Sequence, residues 1–485
     1  MSVPTFEQLY VVSDLHMGGK KGFQVFRMGE TLANFIRHLK DKKSDSLALV
    51  LNGDIVDFLA EKPFRYLDPE GAIRKLERIC NDASFSMVWK ALADFVDTPG
   101  RHLVLNLGNH DVELALPHVQ QWLVAHLSHR CDAARGRITM AVDGAGYPCA
   151  VGDKQVLCLH GNEEDAWNAV DFKELLDVAR ALNRRQTPED WDANAGTRLV
   201  IDVMNKIKAE YPFVDLLKPE TKAAVPILLA LAPQYVGEIH RLLRVLGYRT
   251  RDWVRLKAGF LSAEDQVREE GSAEDDALGK LLSECCGERP IGAGSADVDA
   301  LLDRAYQRVR EGHDPTAQEG ETSIEVLGVR DAIATWIGNR KKEVVRKTLR
   351  WRLDNDRTFD LEYADKTFKR IDKEVSSQVH YLITGHTHLA RALQRNHGGR
   401  YYYNCGTWIP LIKLTPDQLD DQERFEAEVY DKLAHGSHEA LKGLISQRPC
   451  AVSVVAESGE VHGQLSLVQE DGTLKPIEDT RFPEG

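Results

Sequence analysis

The chain has 485 residues, of which 43% are hydrophobic and 28% charged, and its formal net charge is −13. That length exceeds one typical core and implies two domains, or one domain carrying a large insertion. The acidic balance disfavours non-specific binding to DNA or anionic membrane by the whole surface and does not exclude a local basic patch. The cysteines (80, 131, 149, 158, 285, 286, 405 and 450) form no C-x-x-C pair and no regular framework, which reads as reduced thiols of a cytoplasmic protein.

In chain order, "QLYVVSDLH" starts a strand pattern almost at the first residue, where a signal peptide would otherwise stand. Five apolar runs follow one design: "LYVVSDLH", "LALVLNGDIVD", "HLVLNLGNHD", "QVLCLHGNEED" and "HYLITGHTH". Continuous Leu/Val/Ile runs of this length predict strands buried on both faces. Between them, Leu32, Phe35, Ile36 and Leu39 repeat at helical spacing, as do Phe85, Val88, Trp89, Leu92 and Phe95. Strands alternating with helices imply a layered α/β domain whose site lies beyond the carboxyl ends of its strands.

After His160 the spacing changes. More than two hundred residues precede "GHTH", and most read as helix, including "YVGEIHRLLRVLGYRTRDWVRLK" with its basic face. Residues 262–325 hold seventeen Asp and Glu against six Lys and Arg and are rich in Gly and Ser, the composition of a linker or loop. Basic character returns in "RKKEVVRKTLRWR". The most apolar run, "AAVPILLALAP", is too short to span a bilayer and contains proline. Beyond "GHTH", the segments "ARALQRN" and "RYYYNCGTW" flanking "HGG" predict a hairpin, and "CAVSVVAES" and "GQLSLVQ" predict further strands. The expected organisation is a split catalytic domain, residues 1–165 and 378–485, with a mainly helical insertion at 166–377.

The strand ends supply Asp14, His16, Asp54, Asp57, Asn109, His110, Asp111, His160, His386 and His388. Oxygen and imidazole donors from five strands suit a mixed N/O site for divalent metal, and the lack of thiolates argues against a structural zinc site. Singly, Asp14 and Asp54 could each be turn-forming residues at a strand end.

D-x-H, G-D, G-N-H-D, a lone H-G and G-H-x-H, in this order, resemble the calcineurin-like metallophosphoesterases. The resemblance covers residues 8–165 and 378–408, including "NCGTW". It implies an α/β fold, a layered β-sandwich flanked by helices, here with the large helical insertion. It also implies two metal ions, one held by Asp14, His16 and His388 and the other by Asn109, His160 and His386, with Asp54 bridging and a metal-bridging hydroxide attacking phosphorus. His110 would contact the phosphate and protonate the leaving oxygen, as a near-neutral pKa permits. Asp57 either pairs with His110, as the "GDxxD" spacing of the protein phosphatase branch implies, or caps the helix after it. Phe58 stands where that branch carries a phosphate-binding arginine, which argues against phosphoprotein phosphatase activity.

The implied substrate is a phosphodiester or pyrophosphate, and the expected metal is Mn²⁺, with Fe, Zn and Ni as competitors. "SDLHMG" and the insertion resemble the UDP-2,3-diacylglucosamine diphosphatases, in which an insertion forms a lid over acyl chains at a membrane surface. Here the insertion is larger, and His110 replaces that branch's usual arginine. A nuclease or nucleotide phosphodiesterase is the second reading, which the acidic charge disfavours and the basic 340–352 cluster keeps open. That cluster (Arg340, Lys341, Lys342, Arg346, Lys347) reads as a solvated helix face or, if turned toward the metals, as a phosphate clamp. A non-catalytic adaptor would lack ligands, and none is missing.

Other residues carry plainer expectations. His126 and His129 read as surface residues and His380 as a core histidine. Trp167, Trp191, Trp253 and Trp351 read as packing residues, and Asn162, Glu163 and Glu164 as either site-facing groups or a solvated helix start.

Overall fold

The computed structural model describes residues 3–218 and 341–483, except 21–23, 130, 166–167, 190, 192, 195–196, 199, 354–355 and 436–437, together with Ile227 and Leu231. The acidic 262–325 segment, the basic amphipathic segment before it, most of "VPILLALAP", Arg340, Trp167 and Trp253 lie outside the described residues.

In chain order the strands are β1 (Thr5–Phe6), β2 (Gln8–Val12), β3 (Leu47–Asn52), β4 (Arg101–Asn106), β5 (Ile138–Ala141), β6 (Tyr147–Val151), β7 (Lys154–Cys158) and β8 (Leu217–Lys218). They continue as β9 (Tyr381–Thr384), β10 (Ala390–Gln394), β11 (Tyr401–Cys405), β12 (Leu411–Lys413), β13 (Ile445–Ser446), β14 (Cys450–Glu457), β15 (Glu460–Val468) and β16 (Leu474–Pro476). The chain divides into two units, the first comprising Met1–Asn205, Arg357–Leu411 and Ser446–Gly485.

Two sheets build the first unit. One has seven strands in the order β16-β15-β14-β2-β3-β4-β5, and the other six in the order β1-β6-β7-β9-β11-β10. Strand β3 shows why the apolar runs lack alternation. Leu47, Leu49 and Leu51 pack into a cluster with helices α1 (Gly29–Lys40), α2 (Ala72–Asn81) and α3 (Ser86–Asp97). Ala48 and Val50 face the other way, into an apolar layer with Val156, Ile383 and Tyr403 of the second sheet. Both faces are covered, so both must be apolar.

The helical stripes meet that first cluster: α1 buries Leu32, Phe35, Ile36 and Leu39, and α3 buries Val88, Trp89, Leu92 and Phe95. Each such side chain contributes on the order of 1.5–3 kcal/mol by leaving water. On the far side, Phe368 and Ile371 of the helix Lys366–Glu374 pack on Leu382, Leu393 and Tyr402. The order of layers is therefore helix, sheet, sheet, helix, an α/β sandwich.

The predicted hairpin is present, with β10 antiparallel to β11. Strand β9 pairs in parallel with β7 on one side and β11 on the other. The chain thus returns from the long excursion into the middle of a sheet. His380 is a correction: it precedes β9, is half-buried, and its Nδ1 accepts the Gln155 amide at 3.2 Å. A strand's first residue sits at the sheet rim, where the flanking layer ends. His126 and His129 are exposed, His126 stacking on Trp122 with centroids 4.9 Å apart. Trp191 is buried in the helix-layer cluster.

The second unit comprises Lys206–Asp356 and Ile412–Ile445. Ile412 and Lys413 pair in parallel with Leu217 and Lys218. The basic helix Lys341–Arg352 lies against the short helices Pro416–Asp420 and Gln422–Phe425. Lys342 Nζ is 3.1 Å from Glu426 and 2.9 Å from Asp431, Arg350 pairs with Asp420 at 2.6 Å, and Arg346 donates to the Leu419 and Asp420 carbonyls. Lys347 pairs with Glu343 of its own helix at 2.7 Å. Lys342 and Arg346 are thus engaged by carboxylates and carbonyls of their own unit, while Lys347 and Arg350 are exposed. Among the described residues, no helix is long and apolar enough to cross a membrane.

Candidate metal centre

Each candidate ligand sits within a few residues of a strand end. Asp14 and His16 follow β2, Asp54 and Asp57 follow β3, Asn109 and His110 follow β4, His160 follows β7, and His386 and His388 follow β9. The first three strands belong to one sheet and the last two to the other, so the site forms where the two sheets present neighbouring ends.

The turns that carry these side chains are strained. Asp14 (φ 56°), His16 (49°), Asp54 (50°), His386 (67°) and His388 (62°) all adopt the left-handed region. A residue with a Cβ gives up roughly 1–2 kcal/mol there, and such outliers gather at functional sites. Two glycines make the crowding tolerable. A Cβ on Gly108 would lie 2.2 Å from Asp54 Oδ1, and one on Gly385 would lie 1.9 Å from Ser13 Oγ and 2.5 Å from Asp14 Oδ2.

Buried amides tie the strand ends together. Asn106 Nδ2 donates to Asn52 Oδ1 at 2.8 Å, Asn52 Nδ2 donates to the Leu159 carbonyl at 2.7 Å, and Ser13 Oγ donates to the Asn52 carbonyl at 2.8 Å. From "NCGTW", Asn404 Nδ2 donates to the Gly385 carbonyl at 2.7 Å and Thr407 Oγ1 to the Asp14 carbonyl at 2.9 Å. Asp111 accepts the Ile55 and Gly108 amides, each at 2.7 Å, so it braces two turns and is not among the metal-ligating groups. The repeated Leu-Asn at the ends of β3 and β4 is the sequence signal that could have singled out Asn52 and Asn106, which are paired in register.

Three sets of ligand atoms gather within 4.8 Å: Asp14, His16 and His388; His16, Asp54 and His110; Asp54, His160 and His386. His388 Nε2 lies 3.3 Å from Asp14 Oδ1 and 3.2 Å from His16 Nε2, and His160 Nε2 lies 3.3 Å from Asp54 Oδ2. Ligand atoms about 2.1 Å from one cation stand about 3.0–3.4 Å apart at octahedral or tetrahedral angles, so these spacings fit a metal. The buried Asn109 Oδ1 accepts no hydrogen bond among the described residues, which leaves it available to a cation.

Asp54 faces both sides through one atom. Its Oδ2 is 3.6 Å from His16 Nε2 and 3.3 Å from His160 Nε2, while Oδ1 accepts the His110 amide at 2.9 Å. His160 Nδ1 lies 2.8 Å from the Asn52 carbonyl, which can only accept. Nδ1 therefore carries a hydrogen, which leaves Nε2, on the Asp54 side, to hold either a proton or a metal ion.

The electrostatics match. Burial raises the carboxyl pKa of Asp54, but the histidines 160, 110 and 16 outweigh it and hold the pKa well below the ordinary range. Burial likewise raises the Asp14 carboxyl, but His388 and His160 outweigh it and lower its pKa to about 2. His160 is pushed up to about 10, because Asp54 and Asp14 outweigh its burial. A buried anionic pocket of this kind favours positive charge, whether protons or metal ions.

Asp57 does both things expected of it as alternatives. Oδ1 accepts the Ala60 amide at 3.1 Å, capping a short 3-10 turn, and lies 3.3 Å from His110 Nδ1. Phe58 is buried in the helix-layer core and takes no part in the site. Asn162 and Glu164 are buried, so the turn they form is no solvated helix start. Asp165 was not singled out from sequence, yet its Oδ2 is 3.0 Å from His386 Nε2.

Residues 8–221 match the family model of the calcineurin-like phosphoesterases, a span that holds every candidate ligand except His386 and His388. No curated protein matches the chain. The structure joins those two histidines to the matched part through β9, paired beside β7. Over that span the chain is similar to the calcineurin-like phosphoesterases, and the α/β sandwich with its groups of metal-ligating side chains is consistent with a metal-dependent phosphoesterase of that kind.

Proposed function

We propose that the protein hydrolyses a phosphodiester or pyrophosphate bond at a pair of divalent cations, with Mn²⁺ as the working metal. The observation that carries this reading is Asp54 Oδ2, set 3.6 Å and 3.3 Å from histidines of two different ligand groups. Asp14, His16 and His388 would hold one cation, Asn109, His160 and His386 the other, and Asp54 both. Two cations about 3.5–4 Å apart supply an acidified water and neutralise charge on the phosphate.

The chain's own residues do the rest. Asn109 gives an oxygen without adding negative charge beside an anionic substrate. Burial would hold the Asp57 carboxyl up, but His110 and His16 keep it ionised far below the ordinary range. The charged Asp57 beside Nδ1 favours the protonated ring of His110 and leaves Nε2–H for the substrate. As the new P–O bond forms and the old one breaks, that proton passes to the leaving oxygen.

A Mn²⁺-supplemented screen over phosphomonoesters, bis-p-nitrophenyl phosphate, cyclic nucleotides, nucleic acids and nucleotide-diphosphate sugars tests the reading. Turnover of diesters or pyrophosphates that a chelator removes supports it. Turnover of monoesters alone, or none, refutes it. Nuclease activity is the second reading within the same screen, and the ion pairs of Lys342 and Arg350 within their own unit weaken the feature that kept it open.

A further inference from the structure

His386 differs from the other ligands in what lies behind it. Its Nε2 is 3.0 Å from Asp165 Oδ2, and the same oxygen accepts Asn168 Nδ2 at 2.7 Å. The Asn168 carbonyl in turn accepts Asn162 Nδ2 at 3.0 Å and Asn194 Nδ2 at 3.4 Å. Asp165 ends the short 3-10 turn Asn162–Glu164 that follows His160, and Gly161 at its head lies against the His386 side chain and the Gly385 carbonyl. One loop therefore carries both the ligand His160 and the carboxylate behind His386.

An ionised carboxylate can only accept, so the hydrogen between these atoms belongs to His386 Nε2. Nδ1 is then the ring nitrogen with a lone pair to give. From this geometry we propose that Asp165 is a positioning residue: it fixes the tautomer and ring orientation of His386, and the Asn168–Asn194 chain holds Asp165 in turn. The inference rests on the two-cation reading above and deepens it. The residues just beyond the fourth strand-end motif would set the affinity of the cation position that His386 serves, since Asp165 meets the site at the ring of that ligand.

Calorimetric titration of the full-length, metal-free protein with Mn²⁺ tests it. The wild type should take up two equivalents. Asp165→Ala should weaken one of them by about 10–100-fold, the usual effect of removing a carboxylate behind a ligating histidine. Asp165→Asn keeps an accepting oxygen and should lose less, and Asn168→Ala should lose a few-fold through a looser Asp165. Turnover of Asp165→Ala should recover at saturating Mn²⁺, which a group acting on substrate would not allow. Circular dichroism melts of the metal-free variants check folding, and the Asp165→Asn titration stands if the alanine variant does not fold. Unchanged affinities in both Asp165 variants, or equal weakening of both equivalents, would overturn the proposal. A wild type that binds fewer than two Mn²⁺ would instead overturn the two-cation reading itself.

Discussion

Asp57 Oδ1 stands 3.3 Å from His110 Nδ1 while accepting the Ala60 amide at 3.1 Å, and Asp57 Oδ2 lies 3.7 Å from His16 Nδ1. One carboxylate thus ends the turn after β3 and faces two rings of the site. The cap fixes its position, and the burial of Asp57 and His16 strengthens the field it exerts. His110 also donates its backbone N–H to Asp54 at 2.9 Å, so its main chain is bound to the carboxylate between the histidine groups while its ring remains partly exposed.

His110→Asn should therefore slow turnover by roughly 10²–10⁴-fold, the range for loss of a general acid. Metal content by plasma mass spectrometry should stay at the wild-type level. Asp57→Asn should lower turnover less and shift the basic limb of the rate profile, which belongs to the protonated His110, downward in pH, since the protonated ring loses its anionic partner. Loss of both metals in His110→Asn would show that the ring ligates instead.

Asp54→Asn replaces the oxygen that faces both ligand groups with half of a neutral amide. The backbone bond from His110 to Oδ1 can survive that change, so the fold should hold. Hydrolysis should fall to near background and Mn²⁺ binding should weaken at both positions. Wild-type turnover in this variant would end the two-cation reading.

Much of the candidate site could be read from sequence because each candidate ligand follows a short apolar strand and a turn, and both are local signals. Asp57 was legible as a choice between two roles, and burial lets it serve both. What the basic helix pairs with was not legible for a different reason: its carboxylate partners Glu426 and Asp431 lie more than eighty residues away and have no fixed spacing to it. The Asp165–His386 contact, 221 residues apart, was invisible on the same ground. Only the insertion of β9 between β7 and β11 brings those side chains together. His380 was misplaced because an apolar run marks a strand without marking where the sheet rim falls.

Metal binding should release a proton. In the metal-free protein His160 is held up at about 10, so it is protonated at neutral pH. Nδ1 keeps its hydrogen on the Asn52 carbonyl, and a cation must displace the one on Nε2. Affinity for Mn²⁺ should accordingly rise with pH through the neutral range and level off above the His160 pKa. Titrations at pH 7 in buffers of different ionisation enthalpy should show close to one proton released for this ligand; none released would refute the assignment of His160.

A second buried cluster lies beside the turn that follows His110. Glu113 is fully buried with Lys75 and Asp68 as its charged neighbours, and Lys75 Nζ is 3.4 Å from Asp68 Oδ2. Burial pushes the Glu113 carboxyl up to about 8, Lys75 opposing and Asp68 adding to the rise. Between its ordinary value of 4.5 and about 8, the folded state keeps a proton that the unfolded chain loses. Stability therefore falls as pH rises through that window. Glu113→Gln cannot ionise and should flatten the slope, so its advantage over wild type in denaturant melts should grow from pH 5 to pH 8. Parallel slopes would show that Glu113 is ionised in the folded state.

Gly385 offers a test of how tightly the two sheets must meet. Its missing side chain leaves room for Ser13 Oγ and Asp14 Oδ2, and the His386 amide donates to that same Oδ2 at 2.9 Å. A methyl group there would collide with Ser13 and push the "GHTH" turn away from Asp14, separating His388 from its neighbour in the ligand set. No rotation of a long side chain can relieve the clash, because serine and aspartate are short and both are buried. Gly385→Ala should lose Mn²⁺ binding and hydrolysis together and melt several degrees lower, a drop of the size that overpacking a core by one methyl produces. Ser13→Gly in the same chain removes the nearest atom and should restore part of all three. Full activity in Gly385→Ala alone would mean that the turn can move without disturbing the ligands.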